Sequence, residues 1–330
     1  MDNMLRRWIR ENASNRELTS DNLAWPKITI VTPSYNQGDF LKETIRSVLL
    51  QNYPKLEYIV IDGGSSDNSI EIIKMYEKYL AYWISEPDKG QSDALNKGFE
   101  KATGEICGYL NSDDLLMPNA LQKVAIAFQQ QCCTWLVSKV LWGESTSTQK
   151  HWEFRVPRFE EFVVQQTFPQ QGVFWKANVE KPYFNYEWKF IMDHDFFARL
   201  YFQYGQPYIL NETTAFFRTH PCSKTALMEA TLDAERAKLV QKNCQQVPPQ
   251  RAKVIQRERK RNLMKREANV LLTGQSGMSQ WEAIWKSIQL VARDPYPLRD
   301  RIFVSIAVKL IIRALLPSLA YRANNKLTKL

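Results

Sequence analysis

No G-x-G-x-x-G follows the first apolar run of this 330-residue chain, and no G-x-x-x-x-G-K-[ST] occurs anywhere in it. The first absence excludes the usual dinucleotide-binding turn, and the second excludes a P-loop around a triphosphate. Cysteine is scarce and odd in number: the five are Cys107, Cys132, Cys133, Cys222 and Cys244, with no C-x-x-C pair and no Cys/His cluster. That excludes a disulfide framework and a zinc site, and it suits reduced thiols in a cytosolic protein. The N-terminal stretch MDNMLRRWIRENASNRELTSDN has no apolar h-region, so it does not read as a secretory signal. Internal repeats and low-complexity tracts are also missing.

What is present is ordinary for a globular protein: 44% apolar and 24% charged residues, in a length that suits one large or two modest domains. The net charge of +9 is placed unevenly. Arg251 to Leu330 hold 17 Lys and Arg against 5 Asp and Glu, a local charge of +12, which leaves −3 for the first 250 residues. Such asymmetry points to an anionic partner surface, lipid or nucleic acid, for the tail.

Apolar runs at Lys27–Thr32, Leu56–Ile61, Tyr82–Ser85 and Glu105–Leu110 alternate with helix-spaced apolar residues. This pattern predicts βαβ units and a parallel sheet with right-handed crossovers. A polar cluster follows each run: Pro33–Asn36, Asp62–Asp67, Glu86–Gly90 and Asn111–Asp114. Four such clusters on one rim of one sheet make a cleft of nucleotide size. Further on, the pattern predicts a strand over Gln170–Trp175, a helix opening at Asp193, two strands at Tyr208–Leu210 and Thr213–Arg218, and a long helix from about Ser223 to Cys244. A composition shift after Val247-Pro248-Pro249 places a boundary there. The expected organisation is an arm over 1–25, a catalytic domain over 26–247 and a basic helical region over 248–330.

The chain turns on Gly104–Pro118, GEICGYLNSDDLLMP. Asp113 and Asp114 sit at the C-terminal end of a core strand, where open α/β sheets place ligands. Two hard carboxylates there suit Mg²⁺ or Mn²⁺ held together with a substrate phosphate. The same residue types are also what an ordinary strand-to-helix turn favours.

ITIVTPSYNQGDFLKETIRSVLLQNYP, YIVIDGGSSDNS, SEPDKGQSDALNKGFEKATGEICGYLNSDD and MDHDFFARL, in this order over Lys27–His220, resemble the inverting glycosyltransferases of family 2. The resemblance implies an α/β fold of the GT-A type: a Rossmann-like, mostly parallel nucleotide-binding sheet with helices on both faces, here with a helical C-terminal extension. It implies a hexosyltransferase that moves a sugar, with inversion, from a nucleotide-diphosphate donor, a UDP-sugar first among them, to an acceptor hydroxyl. It implies a divalent cation, Mg²⁺ or Mn²⁺, at Asp113 and Asp114. Carried over by position, Pro33, Ser34, Tyr35, Asn36, Asp62 and Asp67 look like nucleotide-contacting loops. Gly90, Gln91 and Asn96 lie where the family lines the ribose and donor pocket, and Asn111, Asp113 and Asp114 resemble its DXD region.

Two positions depart from the pattern: Asn111 stands where many relatives have Asp, and Gly63 stands where relatives often have an acid that contacts the base. Asp193 resembles the catalytic base, with Asp195 behind it. An acid at that place also suits a helix N-terminus on dipole grounds alone. Arg218 and His220 end a strand within reach of a diphosphate. Trp175, Tyr183, Phe184, Tyr186 and Trp188 offer rings for acceptor sugars, though such aromatics are as often core. Gln170 and Gln171 are further acceptor-side candidates.

In the tail, Ile302–Ala320 is apolar but carries Lys309, Arg313 and Pro317. Two central cations are costly in a spanning helix. The expectation is a helix in the membrane interface, with Arg299, Arg301, Arg322 and Lys326 at anionic headgroups, or else one packed as core. The combined expectation is a sugar transferase peripheral on the cytoplasmic face of the cell membrane. It would act on a saccharide or lipid-linked saccharide acceptor in surface polysaccharide or glycolipid synthesis. A nucleotidyltransferase and a non-catalytic transferase-like binding protein are the alternatives. No nucleic acid is expected, because the basic tail lacks interleaved aromatics.

Overall fold

The computed structural model describes residues 25–273, except 147–148, 153, 180, 182 and 222–228, together with 282, 285 and 289. Strands β1 (Ile28–Ser34), β2 (Leu56–Asp62), β3 (Tyr82–Ser85) and β4 (Ile106–Tyr109) pair in parallel in the order β3-β2-β1-β4. Helices α1 (Gly38–Leu49), α2 (Ser69–Tyr76) and α3 (Gln91–Lys101) make the crossovers. Strand alternation sends Ile28, Ile30, Tyr58 and Val60 into one core with Leu41, Ile45 and Val48 of α1 and Ile72 and Ile73 of α2. The opposite face meets α3, which lies so close that a Cβ on Gly98 would stand 2.5 Å from Val31 Cγ1. Both faces are covered, and that is why β1 and β2 are apolar along almost their whole length.

Below this face Glu57 accepts hydrogen bonds from Thr29 Oγ1 (2.6 Å) and from the Thr103 backbone N–H (2.7 Å), and it pairs with Lys27. Burial works against its charge, but these bonds outweigh burial and hold the carboxyl down at about 2.

Beyond β4 come β5 (Leu115–Leu116), α4 (Ala120–Gln130), β6 (Trp135–Gly143), β7 (Lys150–His151), α5 (Phe159–Phe162), a 3₁₀ turn at Gln170–Gly172, β8 (Val173–Lys176), α6 (Met192–Tyr204) and β9 (Tyr208–Arg218). The sheet continues β4-β8-β6-β9-β5, with β8 antiparallel to both neighbours. The α/β architecture with helices on both faces is the one implied above; three details differ. Gln170 and Gln171 belong to the 3₁₀ turn, and the strand starts at Val173. β9 is one strand, not two. Its register against β6 slips beside Asn211 and Glu212, so a bulge, not a turn, accounts for that polar pair. The reversed direction of β8 has no counterpart in the sequence pattern, which carries periodicity but not polarity.

The chain divides into two compact units, Met1–Leu239 and Val240–Leu330. Helix α7 (Glu229–Gln246) starts in the first unit and ends in the second, where α8 (Pro249–Thr273) follows. Among the described residues no helix is long and apolar enough to cross a membrane. Ile302–Ala320, its flanking cations and nearly all of the expected 1–25 arm lie outside the described residues.

Candidate active site

The first two rim loops are stitched to each other. Asn36 follows β1 in the left-handed region (φ 50°), which a short amide tolerates better than most side chains. Its backbone N–H donates to Ser65 Oγ (2.8 Å), and its Oδ1 accepts from the Ser66 N–H (2.8 Å). Asp62 is fully buried and saturated: it accepts from the N–H groups of Gly64 (3.1 Å) and Ser65 (2.8 Å) and from the hydroxyls of Ser65 (2.5 Å) and Ser85 (2.7 Å). It shapes the loop and does not face the cleft. Asp67 accepts from the N–H groups of Gly38 (2.9 Å) and Ser69 (3.0 Å), which ties the starts of α1 and α2 together. Burial opposes its charge, but these bonds hold the carboxyl below its ordinary range. Pro33 and Ser34 are buried, whereas Tyr35 is 62% exposed at the rim.

In the third loop Gly90 is exposed at φ 106°, and its N–H donates to Asp88 Oδ1 (2.8 Å). A Cβ on Gly63 would lie 2.7 Å from Asp88 Oδ2, so the glycine leaves room for this carboxylate. Burial, then Asp93 and Asp62, push Asp88 up against a lowering bond from Gly90. Gln91 donates to Asn111 Oδ1 (2.8 Å) and so joins the third loop to the fourth. Asn96 has a different task from the ribose pocket expected for it. It is buried, donates to the Phe184 carbonyl (2.7 Å) and accepts the Phe184 N–H (3.1 Å), which clamps α3 to the segment before α6.

The fourth loop separates its two acids. Asp114 is fully buried and accepts from Gln171 Nε2 (2.8 Å), the Arg218 N–H (3.0 Å) and Asn111 Nδ2 (3.2 Å). Burial, then Asp113, push its carboxyl well above the usual range. With both oxygens engaged by three donors and none of it exposed, Asp114 is turned inward, away from the ligand position expected for it. Asp113 is partly open and lies 3.1 Å from His220 Nε2. The Phe40 ring supports this corner: the His220 ring packs on it at 4.5 Å, and the Arg218 guanidinium lies 5.0 Å from its centroid. Arg218 also pairs with Glu43 at 2.7 Å. No group of three potential His, Cys, Asp or Glu ligands occurs among the described residues. One open carboxylate beside an imidazole still fits a cation whose remaining ligands come from a diphosphate.

Asp193 lies in the first turn of α6, half-buried. Its Oδ1 accepts from the His194 N–H (2.8 Å), and its Oδ2 accepts from Gln166 Nε2 (3.1 Å). Burial, then Asp193 and Asp114, push the Tyr109 phenol well above its ordinary range. Ser92 Oγ at the start of α3 donates to Met192 Sδ (3.0 Å), just before Asp193, and the neighbouring Gln91 bonds Asn111, so the start of α6 adjoins the third and fourth loops. Asp195 is 1% exposed and pairs with Arg199 at 3.2 Å, as a structural acid does. Glu235 of α7 accepts the N–H groups of Lys189 (2.9 Å), Phe190 (2.9 Å) and Ile191 (3.2 Å) and anchors the entry to α6.

Of the five aromatics offered for stacking, Trp175, Tyr183, Phe184 and Trp188 are buried core, and Tyr186 alone is 53% exposed. Gln170 bonds the Tyr109 carbonyl (2.9 Å) and Asn111 (3.3 Å), so both candidate glutamines hold the fourth loop. In the sequence Gln166, Glu235, Phe40 and Glu43 receive no separate role, and Asp88 appears only within the third rim cluster.

The model of glycosyl transferase family 2 matches residues 29–197, half of the chain. The chain belongs to this family. As a family 2 glycosyltransferase it has curated relatives that it matches over part of their length. One is the putative teichuronic acid biosynthesis glycosyltransferase TuaG of Bacillus subtilis, 34% identical over 113 residues, which are 33% of this chain and 44% of TuaG. The glycosyltransferase GlyG of Streptococcus pneumoniae serotype 4 is 28% identical over 156 residues, 46% of this chain and 52% of GlyG. An uncharacterized glycosyltransferase of Mycobacterium tuberculosis is 42% identical over 90 residues, 27% of this chain and 34% of that protein. Each match therefore spans about half of the relative or less.

Solved structures share the GT-A fold of the transferase. S. aureus TarS 1–349 in complex with UDP-GlcNAc has a TM-score of 0.54 at 16% identity, over 65% of this chain and 66% of that one. The mannosyltransferase PcManGT of Pyrobaculum calidifontis in complex with GDP-Man and Mn²⁺ has a TM-score of 0.51 at 16% identity, over 96% and 95%.

Proposed function

We propose that this transferase moves a sugar from a nucleotide-diphosphate donor, a UDP-sugar first among them, to an acceptor hydroxyl with inversion. The observation that carries the reading is a pair of separate carboxylates: Asp113, open after β4 beside His220, and Asp193 in the first turn of α6, which adjoins the rim through the Ser92–Met192 contact. Direct displacement needs this separation, since one acid serves the leaving diphosphate and the other takes the acceptor's proton. Asp113, with His220 beside it, would hold Mg²⁺ or Mn²⁺, which acts as a Lewis acid toward charge growing on the diphosphate. Arg218 and His220 face that charge from the end of β9. Pro33, Ser34, Tyr35 and Asn36 border the nucleoside with Gly90 and Gln91, while Asp62, Asp67, Asn96, Asn111 and Asp114 hold the loops in shape. Asp193 takes the proton of the acceptor hydroxyl, and Tyr186 offers an exposed ring for the acceptor.

The solved folds holding UDP-GlcNAc or GDP-Man with Mn²⁺ support a nucleotide-sugar donor and a divalent cation. The name of TuaG supports a surface polysaccharide as the product. The catalytic domain runs over 26–247. Region 248–330, with its excess of Lys and Arg, rests on an anionic membrane surface at the cytoplasmic face.

Thermal unfolding of the full chain with UDP, GDP, CDP and ADP, each with and without Mn²⁺, tests the donor reading. A diphosphate at 100 times its Kd stabilises the native state by about 2.7 kcal/mol. The expected result is a rise in Tm with UDP above the others, and only with the cation. No rise with any diphosphate in Mn²⁺ or Mg²⁺ contradicts the reading.

A further inference from the structure

Gln166 stands in the loop between α5 and the 3₁₀ turn, half-buried and far in sequence from every residue of the rim clusters. A carboxamide has two N–H protons to give. The Gln166 Nε2 group donates to the Phe168 carbonyl at 3.1 Å and to Asp193 Oδ2 at 3.1 Å, so both protons are assigned. The first of these bonds is held by the core. Phe168 is 1% exposed and its ring stacks on Phe162, with centroids 4.8 Å apart and planes 9° from parallel. The amide plane of Gln166 is thereby fixed within its own loop, and its second proton is aimed at α6. On the other side Asp193 Oδ1 takes the His194 N–H. Each carboxylate oxygen thus has a fixed donor.

We infer that Gln166 is the positioning residue of Asp193, setting the direction of its carboxylate and favouring its charged form. This rests on the reading of Asp193 as the base. Charged and titratable groups of both signs lie near Asp193. Asp195 lies two residues along α6, where its charge is taken up by Arg199. His194 next to it is pulled down to about 4, chiefly by burial and also by the Arg236 charge of α7, and its ring meets the Phe162 carbonyl, so it brings no positive charge. Burial, then the charges of Asp193 and Asp114, push the Tyr109 phenol up. Glu235 of α7 sits at the entry to α6, against the N–H groups of Lys189, Phe190 and Ile191.

A hydrogen bond to the charged form of Asp193 favours that form. A base must be unprotonated to work, so the Gln166 bond extends activity toward acid pH. The same short segment carries Gln170 and Gln171, which hold Asn111 and Asp114. One loop therefore sets the base against the cation-side acids.

The test follows the carboxyl itself. In full-length protein labelled with ¹³Cγ-aspartate, the resonance missing from Asp193→Asn is that of Asp193, and its titration midpoint is read in wild type, Gln166→Met and Gln166→Glu. Gln166→Met keeps the length and volume and removes both donors. Its midpoint is expected to rise by about one pH unit, and that of Gln166→Glu to rise further through like charge. The acid limb of the transfer rate should move by the same amount, while the affinity for UDP with Mn²⁺ and the Tm stay near wild type. Thermal unfolding monitors folding, and Gln166→Glu supplies a second reading should Gln166→Met fold poorly. An unmoved Asp193 midpoint in both variants, beside an inactive Asp193→Asn, overturns this inference alone. Full activity in Asp193→Asn overturns the base assignment and this inference with it.

Discussion

Asp193→Asn is expected to lower sugar transfer by about 10²-fold or more, the range usual for a lost general base, while UDP binds with Mn²⁺ as it does to wild type. The asparagine keeps nearly the volume of the aspartate and still offers one oxygen. It cannot satisfy both donors, however, because its amide N–H₂ must face either the His194 N–H or the Gln166 carboxamide. A stability loss of about 1 kcal/mol should accompany the change, too small to explain the rate. On the proposed reading Asp193 meets the acceptor rather than the donor, so UDP affinity is untouched and the loss appears in the catalytic step. Asp195→Asn is the contrasting variant. It breaks a buried pair with Arg199, and it should unfold more readily without a specific fall in the catalytic step. Product formation and calorimetric titration of UDP, run on both variants, check the pattern. Wild-type transfer by Asp193→Asn would move the base elsewhere.

The two adjacent acids of the fourth loop should part company when each is changed. Asp113→Asn removes the open carboxylate beside His220. Cation-dependent affinity for UDP should fall by about 100-fold or more, since even outer partners of a metal site cost 10–100-fold. The fold should be unaffected, because Asp113 holds no backbone donor in place. Asp114→Asn should do the opposite. Three donors converge on its two oxygens, and an amide N–H₂ would confront at least one of them. The expected cost is about 1–3 kcal/mol of stability, read by urea unfolding, with weaker nucleotide binding only as far as the loop loosens. Equal loss of cation-dependent binding in both variants, with both fully stable, would restore Asp114 as a ligand.

The parallel half of the sheet was legible because each strand is an apolar run followed by a polar cluster, and because βαβ units have one hand. Positions 33–36, 62–67, 86–90 and 111–114 do lie on one rim. What could not be read was the direction of the side chains there. Asp62, Asn96 and Asp114 have the residue types of a ligand site, yet all three are turned inward. Their partners come from the fold, with Phe184 88 residues from Asn96 and Arg218 104 residues from Asp114. The aromatics make the same point. Tyr183 and Tyr186 differ little in local sequence, and only the packing of α3 against α6 buries one and leaves the other exposed. Gln166 was invisible for another reason: a single carboxamide in a loop has no spacing to betray it, and its two bonds are defined only once Phe168 is in the core.

The configuration of the product anomeric centre tests the central claim most directly. With an α-linked UDP-sugar, Mn²⁺ and an accepted hydroxyl, the ¹H coupling of the new anomeric proton reports the outcome before any later step can alter it. Direct displacement, with Asp193 as the base and no covalent glycosyl-enzyme, predicts a β-linked product. An α-linked product would require a second displacement or a different path, and it would contradict the single-base account.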